Sequence, residues 1–96
     1  MNRFELLTAA ADVIADRGKA YGTIWENHER IAIIWTAILG VEITPEQVVA
    51  CMIGTKLARI AQTQGHMDSW VDIAGYAACG SELVDERQKT DDTPAS

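Results

Sequence analysis

Only two prolines occur in this 96-residue chain, Pro45 and Pro94, and the second lies near the C-terminus. A chain so short of breakers excludes an architecture of many strands and turns and reads as mostly helix. Cysteine is equally sparse. Cys51 and Cys79 have neither a zinc-type spacing nor the density of a disulfide framework. Each falls in an apolar helical stretch and is expected to be a small buried thiol in a reduced compartment. No apolar run approaches the roughly 18 residues of a membrane span. Glu5 and Asp12 break up the N-terminus, which therefore does not read as a signal peptide. Basic residues number 8 against 14 acidic ones, for a net charge of -6 and a pI near 4.7. That balance disfavours wrapping of DNA or RNA, which needs a basic face. It does not exclude a nucleotide held through metal ions. No nucleophile elbow, dinucleotide fingerprint or catalytic Cys/His pattern is present. The expected protein is soluble and cytoplasmic.

What is present is helical periodicity. The apolar fraction of 48% suits one small globular domain with a modest core. A first helix from about Arg3 to Asp16 places Phe4, Leu7, Ala11 and Ile14 on one face, and Arg17-Gly18-Lys19 ends it. A second helix, about Ile24 to Leu39, carries Trp25, His28, Ile31, Trp35 and Ile38 on one face and stops at Gly40. Ile33 and Ile34 widen its apolar surface, so this helix is expected to be central or to meet another subunit. Thr44-Pro45-Glu46-Gln47 opens a third helix with an N-cap, a proline at the first position and a capping box. That helix runs to about Gln62. After the turn Gln64-Gly65-His66 a fourth runs from about Asp68 to Glu86. The expectation is an all-α, small four-helix bundle spanning residues 1–87, with helices three and four as a hairpin. Residues 88–96 read as a flexible tail. The surplus of isoleucine and valine on helices two and three predicts a homo-oligomer.

Chemistry concentrates on the hairpin. Asp68 and Asp72 share a helix face, with Tyr76 one turn on, while Lys56 and Arg59 lie three apart on the helix before. Two like charges at that spacing need compensation. A divalent cation such as Mg²⁺ would supply it. So would the helix dipole at Asp68 together with an ion pair from Asp72 to Lys56 or Arg59. Arg59 suits bidentate phosphate binding and Lys56 acts as a point charge. His66 is a metal or phosphate contact, or a capping residue. Tyr76 and Trp70 either flank a nucleobase or pack in the core, the latter being the expectation for Trp70. A second cluster, Arg17-Gly18-Lys19-Ala20-Tyr21-Gly22 with Asn27, forms either an interhelical turn or an anion-facing rim.

These residues carry a resemblance. Arg17 to Gly22, Asn27 to Trp35, Lys56-Leu57-Ala58-Arg59 and Asp68 to Tyr76 resemble a family of small phage and prophage proteins of uncharacterised function, over about residues 12–84. More distantly, Asp68 through Asp72 to Tyr76 is similar to the last motif helix of the all-α, MazG-like nucleoside triphosphate pyrophosphohydrolases. That resemblance implies a helical, oligomeric protein that binds magnesium through Asp68 and Asp72. Lys56, Arg59, Lys19, Tyr21, Asn27 and Tyr76 would contact the nucleotide. If the protein is an enzyme, it implies Mg²⁺-dependent cleavage to a nucleoside monophosphate and pyrophosphate. The MazG-like group also has a glutamate cluster on the preceding helix. Here that stretch has Met52, Gly54, Thr55, Lys56 and Arg59, so binding of a phosphorylated nucleotide is the stronger implication and hydrolysis the weaker. Two alternatives stand beside it: a non-catalytic protein that sequesters a nucleotide signal or docks on a host protein, and a purely structural helical oligomer.

Overall fold

The computed structural model describes residues 1–91, apart from the side chains of residues 19–21, 90 and 91. Four helices follow in order: α1 (Arg3–Tyr21), α2 (Ile24–Leu39), α3 (Pro45–Gln62) and α4 (Met67–Asp91), and no strand occurs among the described residues. Three of the starts have a local cause. The Asn2 side chain caps α1, forming a capping box with Glu5. Thr23 Oγ1 accepts from the Glu26 amide at 3.0 Å to start α2. At α3 the expected Thr44–Gln47 box is present, with bonds of 2.9 and 3.1 Å. Such caps satisfy amides that have no partner inside the helix.

Two boundaries differ from the sequence reading. α1 does not stop at Arg17-Gly18-Lys19 but continues to Tyr21. A mid-helix glycine costs about 1 kcal/mol relative to alanine, which weakens a helix without ending it. The stop is Gly22, at φ 81°, where a Cβ would also come within 3.3 Å of Glu26 Oε2. α4 runs past Glu86 to Asp91, so the first part of the expected tail is helical. Residues 92–96 lie outside the described residues.

The inward face of α1 is also turned from the expected one. Phe4 and Leu7 are exposed, at 65% and 59%, while Ala10 is buried and Leu6 and Ile14 are half-buried. The positions that pack are thus 6, 10 and 14, spaced by four.

α3 and α4 form the expected hairpin and share the most extensive packing in the molecule. Their register follows from three contacts. Arg87 donates through Nε and Nη2 to the two carboxylate oxygens of Glu46, the latter at 3.0 Å. Gly80 faces Val49, and Lys56 Nζ lies 3.1 Å from Asp72 Oδ2. As α3 advances, its partners on α4 recede, so the pair is antiparallel. Arg87 also covers the Trp25 ring, 5.5 Å from its centroid, and thereby ties the start of α2 to the hairpin.

The core is thin. Among the described residues its buried apolar members are Ala10, Ala32, Val48, Val49, Val71 and Leu83. α2 is not the central helix: Ile33, Ile34 and Ile38 are all at least half exposed. Two further sequence expectations fail. Cys51 is exposed, and Trp70 is 43% exposed with its indole N–H donating to Gln64 O at 2.9 Å. An indole prefers such a site because it satisfies the N–H while keeping one edge in water.

The Glu46–Arg87 fork makes stability depend on pH. The hydrogen bond from Arg87 holds the Glu46 carboxyl below its usual value near 4.5, with burial opposing and the backbone at Glu46 and the charge of Arg87 assisting. A carboxyl depressed in the folded state adds stability above its unfolded value and loses it as pH falls through the folded one. Urea midpoints measured from pH 7 to pH 3 are therefore expected to fall more steeply below pH 4.5 for the wild type than for Glu46→Gln. The two curves should converge at the acid end.

Candidate functional site

A cleft of about 310 Å³ opens where all four helices approach one another. Its walls are largely apolar. Ile14 comes from α1, Ile31 and Trp35 from α2, Val48 and Met52 from α3, and Val71 from α4. Gly75 of α4 faces Ile14 of α1, which an added Cβ would meet in ordinary contact at 4.0 Å. Set into this surface are a few polar side chains: Arg17, Thr23, Asn27, His28, Asp72, Tyr76 and Cys79. A concave, mostly apolar surface with a few convergent polar groups is the usual form of a small-molecule site.

Asp72 is held by its neighbour helix. Lys56 reaches it from α3, and the two side chains are 13% and 24% exposed. Of the two partners open to Asp72 in the sequence, Lys56 is the one it takes. Arg59, one turn later, is exposed and makes no ion pair among the described residues.

His28 is 7% exposed. Its Nδ1 donates to Ile24 O at 2.8 Å, because a carbonyl can only accept. In the neutral ring Nε2 is then an acceptor. Nε2 has no protein partner among the described residues. No sealed side-chain nitrogen or oxygen among those residues lacks a partner, so Nε2 keeps an opening to solvent.

At the other end of the cleft, burial raises the Cys79 thiol above its ordinary value, Glu82 adds to this, and the nearby Arg17 guanidinium opposes it. Arg17 is exposed and stands near Cys79 at the rim.

The fate of the sequence candidates is therefore mixed. Asn27, Tyr76 and Asp72 line one cleft, and Lys56 supports it through Asp72. Asp68 is exposed in the first turn of α4 and does not line the cleft. Among the described residues no three His, Cys, Asp or Glu side chains gather as a metal site. Asp72 is engaged by the Lys56 ammonium group, and Asp68 stands apart from the cleft. His66 does not line the cleft, and its Nδ1 lies 2.7 Å from the buried Ser69 Oγ. Lys19 and Tyr21 belong to the last turn of α1, and their side chains lie outside those described. Arg17, expected in the anion-facing rim, lines the cleft, whereas His28 was read only as part of the α2 face. The signal for His28 was present: one titratable residue in the stripe Trp25, Ile31, Trp35.

Fold and site together define a small all-α protein with an amphiphilic cleft between its helices. The chain belongs to the family described as Domain of unknown function (DUF6378), whose model matches residues 5–84. It is 50% identical over 74 residues to the Gene 55 protein of Mycobacterium phage L5, an alignment covering 75% of this chain and 47% of that protein. It is 39% identical over 71 residues to the Gene 55 protein of Mycobacterium phage D29, covering 74% and 47%. The chain thus spans about half the length of the curated relatives it matches. No solved structure matches it. No described helix is long and apolar enough to cross a membrane.

The part-buried pair and the exposed acid should respond differently to neutralisation. Lys56→Met leaves the part-buried Asp72 carboxylate without its ion-pair partner and is expected to cost about 1 kcal/mol. Asp68→Asn should stay within about 0.5 kcal/mol of wild type. Denaturant unfolding of the two variants measures the difference. Equal effects would mean that Lys56 and Asp72 do not stabilise the hairpin.

Proposed function

We propose that this protein binds a phosphorylated nucleotide in the four-helix cleft. The observation that carries the reading is the placement of polar groups in one apolar cavity: Asn27, His28, Asp72 and Tyr76 within it and Arg17 at its rim. The apolar wall, with Trp35 and Tyr76, suits a flat heterocycle. A guanidinium at the mouth suits phosphate, which it can hold bidentately. Arg17 takes the role that the sequence suggested for Arg59, because Arg17 lines the cleft and Arg59 does not. The resemblance of Asp68 to Tyr76 to the MazG-like motif helix agrees with a nucleotide ligand. Binding rather than hydrolysis is the proposed activity, and sequestration of a nucleotide in the infected cell is the role that fits it. Any Mg²⁺ would arrive with the phosphates rather than rest on Asp68 and Asp72.

Thermal-shift titration with nucleoside mono- and triphosphates, with and without Mg²⁺, tests this. Ligand at 100 times Kd adds about 2.7 kcal/mol, and each kcal/mol moves Tm by roughly 4–8 °C in a domain of this size. Arg17→Ala should abolish most of the shift without lowering the Tm of the free protein. A panel that produces no shift in the wild type ends the proposal.

A specific observation also favours self-association. The radius of gyration is 15.0 Å, against about 12–13 Å for a compact chain of this length. Ile33, Ile34, Ile38 and Leu39 are 51–74% exposed along α2 and its end. We infer that a second copy covers this face, since small domains often complete a thin core by association. Light scattering at high micromolar concentration should give a mass at least twice 10.5 kDa, and Ile38→Glu should return it to the monomer. A monomeric wild type refutes the inference.

A further inference from the structure

The polar groups inside the cleft are not a random mixture, for the two best defined are both acceptors. With Nδ1 donating to Ile24 O, Nε2 of the neutral His28 ring is an acceptor. The Asp72 carboxylate offers about four lone-pair directions. Lys56 occupies one of them at Oδ2. No described residue takes the others. A phosphate placed against this carboxylate would be repelled, so the acidic end of the cleft calls for an uncharged group rich in N–H donors.

The other end is marked by Arg17, whose guanidinium acts on Cys79. Cys79 follows Asp72 by seven residues on α4, about 10 Å along the helix axis. That is the scale of the separation between the edge of a nucleobase and its 5′-phosphate. A nucleotide laid along α4 puts its phosphate under Arg17 and its base edge at Asp72, with Tyr76 between.

Resting on the reading of the cleft as a nucleotide site, we propose that it selects guanine, with Asp72 accepting from N1–H and the 2-amino group and His28 Nε2 accepting a further N–H or O–H of the ligand. Among the common bases only guanine places two donors side by side on its pairing edge. Adenine and cytosine each offer one amino group beside an acceptor, and uracil and thymine one N–H between two carbonyls. Lys56 offsets the charge of the carboxylate from behind, which fits it to neutral donors. Polar groups left unpaired in a part-buried site penalise the wrong base, so specificity follows from the same atoms.

The test is calorimetric titration of wild-type protein with GMP, IMP, AMP, UMP and CMP, then of Asp72→Asn with GMP and XMP. IMP keeps N1–H and lacks the 2-amino group. Wild type should bind GMP roughly 10- to 100-fold more tightly than IMP and the other bases. Asp72→Asn presents a donor where the carboxylate accepted, so it should prefer XMP, whose C2 carries a carbonyl, over GMP. The IMP comparison needs no variant and decides the matter even if Asp72→Asn fails to fold. Nucleotides bound with equal affinity for all bases, or a preference that IMP shares in full, overturn guanine selection and leave the nucleotide site standing. Absence of binding by every nucleotide overturns both.

Discussion

The antiparallel register of α3 on α4 is the constraint on which the rest of this structure depends. Glu46 with Arg87 fixes one end of the hairpin, Lys56 with Asp72 the other, and Val49 packs on Gly80 between them. Shifting α4 by one residue turns its side chains by about 100°, since a helix makes 3.6 residues per turn. Asp72, Tyr76 and Cys79 would then leave the cleft together. The ion pairs are modest contributors to stability, being partly exposed. Their larger effect is to select one register among several that would bury similar apolar area.

A thin core explains how a cavity persists in so small a domain. With alanine and valine dominant among the fully buried positions, the helices approach closely along the hairpin, while Ile14, Ile31, Trp35 and Met52 line open space instead of filling it. Tight packing throughout would be more stable, because unfilled space forfeits dispersion contacts. Retention of a cleft at that cost is what a binding site requires. The exposed isoleucines of α2 belong to the same economy: apolar surface the chain cannot cover alone is left facing outward.

Helix starts were legible because their causes are local. Thr44, Pro45 and Gln47 act within one turn, and Gly40 stops α2 through its own backbone. The end of α1 was misread because Gly18 and Gly22 look alike in a sequence, and only the one that must adopt positive φ ends the helix. The inward face of α1 was misassigned for a related reason. Phe4 and Leu7 are the more hydrophobic residues, yet close approach to α4 favours Ala10 over a bulky side chain. Asn27, Tyr76 and Asp72 were found from residue type and spacing, whereas Arg59 and Asp68 matched the same criteria and lie outside the cleft. One helical face spans about 100°, too broad to say which of two residues a turn apart points inward.

The sequence by itself determined four helices, their caps, the hairpin and the polar character of its facing sides, because all of these follow from neighbours in the chain. It also placed Lys56 and Arg59 opposite Asp72 as equivalent partners. Only the tertiary structure decided between them, and only it brought Arg17 and His28 to the same cavity as Asp72. Those choices depend on the crossing of α1 and α2 over the hairpin. That crossing is set by long-range packing of small and large side chains, and no local rule encodes it.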